Sequence, residues 1–453
     1  MEQVHAVVLA AGKGKRMHSD LPKVLHLLCG QPLILYVFDA LHHAGIPSSI
    51  VVVGQGDDRV REVVGPQARY VEQPEPRGTG HAVMTALPLL PQDGTPVLVL
   101  YGDTPLLTAE TIHALLALHR TSGSAATLLS AQVPDPTGYG RVIRDHDGRV
   151  RKIVEEMDCS PEERQVGEIN AGTYVFHHEA LREALRALAP DNAQGEYYIT
   201  DTIGWLLARG RRVSALVARG EETVGVNSRK ELAAAEALMR RRLLDRLMEG
   251  GVTIVDPATT YVHAGVQVGP DTVIHPQSYL EGATAVGARC TIGPQARLVG
   301  ASVGDDVTVV ASSVEHGVIG DGSAVGPYSR LRPGTRVGRF VEIGNFAELK
   351  NAVVGDHTKV HHMSYLGDVT IGVRVNIGAG TVTCNYDGKR KHNTIIDDEA
   401  FIGSDTMLIA PIRIGKGAMT GAGSVVNKDV PPGGVAVGVP ARVIRYVTAD
   451  PQP

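Results

Sequence analysis

The chain is poor in cysteine, in aromatic residues and in long apolar runs. Its 453 residues hold four cysteines and one tryptophan, and Phe, Trp and Tyr together make up 4%. Cys29, Cys159, Cys290 and Cys384 lie more than 90 residues apart, with no CxxC pair. That excludes a disulfide framework and a cysteine zinc site, and it fits reduced thiols in a cytosol. No run of about 18 apolar residues occurs, so no transmembrane helix is predicted. The apolar stretch near the N-terminus is short and gives way to Lys13-Gly14-Lys15-Arg16. A signal peptide is therefore not expected, and a cytoplasmic location is. Charge of one sign is also missing. Lys+Arg 44 against Asp+Glu 49 leaves −5, which argues against nucleic acid or an anionic membrane as partner. The GxxxxGK[ST] pattern is absent, and no serine or cysteine stands out as a nucleophile.

Apolar residues make up 43% and charged residues 21%, enough for sizeable cores and too apolar for global disorder. The length allows two or three domains. Glycine is the unusual entry, 52 residues, about 11% against a usual ~7%. It is unevenly spread, with 23 in residues 1–250 and 29 in 251–453. The two halves are built differently.

Residues 1–228 alternate short apolar runs with helical patterns. Strands are predicted at Ala6–Leu9, Ser49–Val53, Val97–Leu100, Ala125–Ala131 and Thr173–Phe176, and helices at Pro32–His43, His81–Leu90 and Ala109–His119. This order predicts a Rossmann-like α/β domain with a mostly parallel sheet, whose ligands bind beyond the carboxyl ends of the strands. Residues 229–249 contain neither Gly nor Pro and carry apolar residues at a 3.6 period, which predicts one linking helix.

In residues 250–453 an aliphatic residue recurs every six positions. One run is Val268, Ile274, Leu280, Val286, Ile292 and Leu298, and a second is Ile319, Val325, Leu331, Val337, Ile343 and Leu349. A six-residue period suits neither helix nor hairpin. It predicts a hexapeptide β-solenoid, three short strands per 18-residue coil, with the aliphatic residue inside and small residues at the corners. Residues 252–430 give about ten coils, or roughly 48 Å at the ~4.8 Å spacing of stacked strands. The period fails at Cys384–His392, where a loop with three basic residues must leave the prism, and residues 429–445 are expected to close it.

Leu9-Ala10-Ala11-Gly12-Lys13-Gly14-Lys15-Arg16-Met17 follows the first strand. Its glycines allow backbone to approach a phosphate or base, and Lys15 and Arg16 can meet a polyphosphate. On its own the pattern is equally an ordinary tight turn. Lys23 follows Pro22, Gln73 and Gly78-Thr79-Gly80-His81 form a second candidate loop, and Tyr101-Gly102-Asp103 ends a strand where a lone carboxylate can hold Mg²⁺ on phosphates. The bland alternative for Asp103 is a strand-terminating turn.

Together LAAGxGxRM, LPK, GTGHA, YGD, GYGR and GVN resemble the sugar-nucleotide pyrophosphorylases. Joined to a long solenoid, they resemble the bacterial bifunctional N-acetylglucosamine-1-phosphate uridylyltransferase / glucosamine-1-phosphate acetyltransferase family over essentially the whole chain. The resemblance implies a left-handed parallel β-helix, Mg²⁺ for uridylyl transfer, UTP and acetyl-coenzyme A as co-substrates, and a homotrimer. The sugar substrates it implies are glucosamine 1-phosphate and N-acetylglucosamine 1-phosphate. It assigns Leu9, Ala10, Ala11, Gly12 and Lys23 to the uridine nucleotide, and Gln73, Gly78 and Thr79 to the uracil side. Tyr101 and Gly102 belong to the same nucleotide-sugar site. Gly140, Glu155 and Asn170 fall to the sugar, Asp103 and Asn227 to Mg²⁺, and Arg16 to the leaving pyrophosphate. The Gly140–Glu155 spacing is one residue longer than the family pattern, which leaves Glu156 as the alternative to Glu155. Such displacement at phosphorus needs in-line positioning and positive charge rather than a nucleophilic residue.

In the C-terminal half, His361-His362 interrupts the six-residue code, and two surface histidines are the bland reading. Arg332 and Lys350 lie one 18-residue coil apart and are expected to share a phosphate, with Tyr365 near the next level. The resemblance names His362 as general base and Arg332, Lys350, Tyr365 and Asn376 as holders of the sugar phosphate. It assigns Ala379, Asn385, Tyr386, Ser404 and Ala422 to acetyl-coenzyme A, with Arg442 as candidate for the coenzyme phosphates. Adjacent strand residues face opposite ways, so only one histidine of the pair is expected to face substrate. Two other readings are uridylyl transfer alone, with the solenoid as a stalk, and a non-catalytic regulator on the same plan.

Overall fold

The structure, a computed structural model, describes residues 4–12 and 14–447. Lys13 of the glycine-rich motif lies outside the described residues. The chain divides into two compact units, Met1–Met239 and Arg240–Pro453.

The first unit is built on nine strands: β1 His5–Ala10, β2 Ser49–Gly54, β3 Ala68–Gln73, β4 Val97–Tyr101, β5 Ala126–Gln132, β6 Arg141–Arg144, β7 Val150–Val154, β8 Glu168–Phe176 and β9 Val213–Ala218. Their order is β9-β5-β8-β4-β1-β2-β3, and the β6–β7 hairpin joins at β8. Pairings are parallel except those of β8 and of the hairpin. Alternation along β1 explains the layers: Ala6, Val8 and Ala10 enter one core with residues of helices α1 (Leu33–His43), α2 (Asp58–Val64) and α4 (Ala109–Ser122). Val7 enters the other, with α3 (Thr79–Ala86), α5 (His178–Arg186) and α6 (Thr200–Ala208). Strands clad on both faces need apolar residues at every position, and VVLA, IVVV and VLVL supply them. The five predicted strands are present. β3 and the hairpin carry too many polar residues for the sequence to have announced them, and β9, apolar but for Ser214, was missed.

His119 of α4 is only 6% exposed, and its Nδ1 lies 3.0 Å from Thr127 Oγ1. Burial pushes its pKa down to about 4. A histidine held neutral in the native state costs stability as pH falls from about 6.5 toward 4, because the unfolded chain takes the proton first. The size is about 3 kcal/mol. Trp205, the single tryptophan, sits in α6 and reports on this unit. Denaturation followed by its fluorescence should show stability dropping between pH 7 and pH 5, with a shallower slope in His119→Gln. Equal slopes would rule out His119 as the source.

Helix α7 spans Arg229–Glu249, and the division between the units falls within it. Beyond it the second unit is a β-helix. One face stacks ten two-residue strands in parallel, from Thr253–Ile254 to Met419–Thr420, and the other faces stack likewise. The six-residue ladder points inward as predicted: Ile274, Leu280, Ile292 and Leu298 are fully buried, as are Leu331 and Leu349. The sequence period lapses between the two runs because the coils shorten. Leu298 pairs with Val314 and Val303 with Ile319, 16 residues apart, whereas Ile274 pairs with Ile292, 18 apart. Glycine at the corners is a matter of spacing between coils. A Cβ on Gly355 would fall 2.6 Å from the Gly372 carbonyl carbon of the next coil. The Cys384–His392 segment leaves the prism, bridges Tyr386 to Lys391 and returns at Thr394–Ile396, making a 25-residue coil. The closing segment runs as Gly434–Gly438 along the last coil and turns back as Ala441–Tyr446. Among the described residues no helix is long and apolar enough to cross a membrane.

Candidate functional sites

In the first unit a cavity of about 590 Å³ opens at the carboxyl ends of β1 and β4. Leu9, Ala10, Ala11, Gly12, Arg16, Lys23, Gln73, Gly78, Thr79, Tyr101, Asp103, Gly140, Glu155, Asn170 and Asn227 all line it. Gly102 does not line the cavity itself but stands between two residues that do, its amide donating to Leu9 O at 2.9 Å. The motifs that the sequence scatters over 219 positions, from 9 to 227, thus share one space. Lys23 is the hinge of the charge arrangement. Its ammonium pairs with the Asp103 carboxylate and donates to Asn227 Oδ1 at 2.8 Å. Asp103 and Asn227 are brought together by the backbone as well, since Val226 N donates to Asp103 O at 2.9 Å. A carboxylate and an amide oxygen converging on a cation form a hard-oxygen donor set, which fits Mg²⁺.

Glu155 rather than Glu156 faces the cavity. Thr200 Oγ1 donates to Glu155 at 2.9 Å, and burial raises the Glu155 pKa above the usual carboxylate range. Glu156 turns away to Arg141, at 2.8 Å. Gln73 is buried and donates to Gly78 O at 3.1 Å, tying the two loops together. Asn170 donates to the Tyr174 hydroxyl at 2.6 Å.

The packing of Gly14, itself part of the glycine-rich motif, and several further site residues escaped the sequence. Gly14 has φ +54 and a Cβ there would meet Lys23 Cβ at 2.8 Å, so only glycine lets the loop fold back on the lysine. Gly172, at the bulge in β8 with φ +74, leaves the room that the Tyr101 ring occupies. Tyr139 and Glu196 also line the cavity. Tyr139 was visible inside GYGR, whereas Glu196 had no signal.

On the β-helix the candidates divide between two corners. Asn345, His362, Ala379, Ser404 and Ala422 stack on one corner in successive coils, linked by Met363 N to Asn345 O (3.1 Å), Gly380 N to His362 O (3.0 Å), Asp405 N to Ala379 O (2.6 Å) and Gly423 N to Ser404 O (2.8 Å). His361 and His362 therefore sit on a turn, not on a strand, and the alternation argument does not apply to them. What separates them is their partners. His362 Nδ1 lies 2.7 Å from Asn345 Oδ1, and His361 Nε2 lies 3.2 Å from Glu342. Below them Ala379, Ser404 and Ala422 keep the corner small.

The next corner holds Arg332, Lys350 and Asn385. Leu331 pairs with Leu349, so Arg332 and Lys350 stack as expected. Arg332 also pairs with Glu348 at 3.0 Å. Lys391, from the excursion loop, contacts Lys350 and pushes its ammonium pKa below the ordinary value, with Arg332 adding to the effect. Three cations gather here, with the Glu348 carboxylate on Arg332 and Asp368 acting on Lys350, an excess of positive charge that suits an anion. Lys391 was missed, although the basic run in the loop was its signal. Asn385 is buried and donates to Asp368 at 2.6 Å, while Tyr386 is exposed. Tyr365 pairs with Glu348 between the corners. Its hydroxyl and the Asn385 amide crowd around Gly367, where a Cβ would come within 2.6 and 2.7 Å of them. Asn376 lies on a different face, paired with Lys359, and is not brought to Arg332 or Lys350 within the chain. Arg442 stands in the closing strand.

Residues 6–204 match the family described as the MobA-like NTP transferase domain. Among curated proteins the chain is similar to the bifunctional protein GlmU of Heliobacterium modesticaldum, 50% identical over 96% of either chain. It is similar to that of Caldanaerobacter subterraneus subsp. tengcongensis at 47%, over 96% of this chain and 95% of the relative. The GlmU protein of Brevibacillus brevis is 46% identical over 100% of this chain and 98% of its own. The chain belongs to the GlmU family and is a bifunctional enzyme with uridylyltransferase and acetyltransferase activity in UDP-N-acetylglucosamine synthesis.

Proposed function

We propose that the first unit performs Mg²⁺-dependent uridylyl transfer and the second acetyl transfer from acetyl-coenzyme A, with the residues above in the roles expected of them. The observation that carries the first half is the Lys23 ammonium held by Asp103 and Asn227 in a cavity walled by the glycine-rich loop. The phosphate of N-acetylglucosamine 1-phosphate attacks the α-phosphorus of UTP, and pyrophosphate leaves. Lys23 and Arg16 stand where charge accumulates, and loop amides receive phosphate oxygens. Bound Mg²⁺ would neutralise phosphate charge from Asp103 and Asn227. Glu155 and Asn170 accept and donate hydrogen bonds to the sugar hydroxyls.

In the second unit the three cations at Arg332, Lys350 and Lys391 suit the phosphate of glucosamine 1-phosphate. His362, one corner away, takes the proton of the amine as it attacks the thioester. The small column of Ala379, Ser404 and Ala422 leaves a path for the pantetheine arm. Asn376 and the two corners face different ways in one chain, which favours a site completed by further copies. We read the enzyme as a cytoplasmic homotrimer.

The test is a paired assay of the full chain: UTP with N-acetylglucosamine 1-phosphate, and acetyl-coenzyme A with glucosamine 1-phosphate, each with and without Mg²⁺. Metal removal should abolish the first and spare the second. A fragment of residues 1–239 should keep Mg²⁺-dependent uridylyl transfer and lose acetyl transfer. Acetyl transfer from that fragment would overturn the domain assignment.

A further inference from the structure

The segment Lys15–His26 carries both cations assigned to the phosphates, Arg16 and Lys23, yet has little structure of its own. It consists of two single-turn 3₁₀ helices, Lys15–Met17 and Lys23–Leu25, joined by a loop. Such a segment needs ties to other elements if its cations are to stay within the few tenths of an ångström that charge stabilisation demands. The first two turns of α7 supply them. Arg229 Nε donates to Met17 O at 3.3 Å, and Arg229 Nη1 donates to His26 Nδ1 at 3.3 Å. Met17 is the residue after Arg16, and His26 is three residues beyond Lys23, so one guanidinium grips both ends of the segment. Glu236, two helical turns on and thus on the same face, accepts from Cys29 N at 2.8 Å. Glu231 accepts from Asn227 N at 2.7 Å, fixing the residue that holds Lys23.

A cation in the first turn of a helix opposes the macrodipole, so Arg229 does not serve α7 itself. His26 is 4% exposed and its ring accepts from Arg229, which requires the neutral imidazole. Burial, with the Arg229 charge adding, lowers the His26 pKa accordingly.

We propose that Arg229 is a positioning residue for uridylyl transfer, clasping Met17 O and His26 so that Arg16 and Lys23 are held against the phosphates. The proposal rests on the reading of Arg16 and Lys23 as phosphate-binding residues. In the full chain Arg229→Ala should lower uridylyl kcat/KM by about 10–10²-fold, the loss that a displacement near 1 Å brings. Acetyl transfer should stay unchanged, and denaturation followed by Trp205 fluorescence should match the parent, which separates the effect from unfolding of the first unit. Arg229→Lys should recover only part of the rate, because one ammonium cannot reproduce two donors set in a planar fork.

The deciding experiment is a double-mutant cycle with Arg16→Ala, read as uridylyl kcat/KM. If Arg229 acts through the segment, its removal should cost less in the Arg16→Ala background than in the parent, the remaining loss coming through Lys23. Losses that multiply would overturn the proposal while leaving Arg16 in its role. An Arg229→Ala rate within twofold of the parent would do the same. An Arg16→Ala enzyme with the parent's rate would overturn the reading of Arg16, and the clasp with it.

Discussion

Replacing Asp103 by alanine should lower uridylyl transfer by about 10²–10³-fold or more, the range seen when a positioned group that stabilises transition-state charge is removed. Acetyl transfer should be nearly intact. The carboxylate has two tasks in the cavity. It supplies the negative charge of the hard-oxygen set with Asn227, and it pairs with the Lys23 ammonium. Without it Lys23 keeps only the Asn227 amide, and a bound Mg²⁺ would keep only a neutral ligand. The backbone should not move, because the tie between β4 and the Gly225–Asn227 segment runs through the Asp103 carbonyl, which alanine retains. Asp103→Asn tests charge separately from shape. It should fall nearly as far as alanine, with a Mg²⁺ requirement shifted to higher concentration. If Asp103→Ala keeps the parent's rate at saturating Mg²⁺, the carboxylate merely terminates a strand and the metal site lies elsewhere.

The cavity was legible in the sequence because each wall is a motif whose chemistry is local. Glycines in Leu9–Met17, a proline before Lys23 and a strand running into Asp103 announce themselves without knowledge of the fold. The unread parts depend on tertiary approach. Gly172 matters only because the Tyr101 ring lies against it, and Arg229 only because α7 passes the Lys15–His26 segment. The choice between Glu155 and Glu156 likewise needed the 3₁₀ turn at Glu156–Asp158, which sends the second carboxylate to Arg141. In the β-helix the six-residue period gave fold and inward face together, since every coil repeats one solution. It failed where coils drop from 18 to 16 residues, because two deleted residues shift the sequence phase while leaving the ladder Leu298–Val314 intact. A different assumption, that strand alternation applies, misassigned the environment of His361 and His362. They occupy a corner, where the two-residue alternation of strands has no meaning.

His362→Ala should lower acetyl transfer by roughly 10²–10⁴-fold, the usual loss on removing a positioned base. The basis is its hydrogen bonding. Nδ1 donates to Asn345 Oδ1 at 2.7 Å, which fixes the ring and leaves the Nε2 lone pair to take the proton of an attacking amine. His361 differs in that Nε2, the nitrogen with the longest reach, is engaged with Glu342 at 3.2 Å, a carboxylate that Lys359 also binds at 3.0 Å. His361→Ala should therefore be mild. Acetyl-coenzyme A binding should hardly change in His362→Ala, since Ala379, Ser404 and Ala422 form the column beyond it. The β-helix should remain folded, because His362 is exposed and outside the aliphatic ladder. Asn345→Ala gives an independent check: it frees the ring without removing it, so the loss should be smaller than that of His362→Ala and should appear in kcat rather than in KM for the coenzyme. Uridylyl transfer, which draws on Asp103, Asn227 and Lys23, should be untouched in all three variants. If His361→Ala is the damaging change and His362→Ala the mild one, the base is the Glu342-paired histidine and the Asn345 contact is structural. If both are mild, neither histidine is the base, and the proton goes to another group on the corner column.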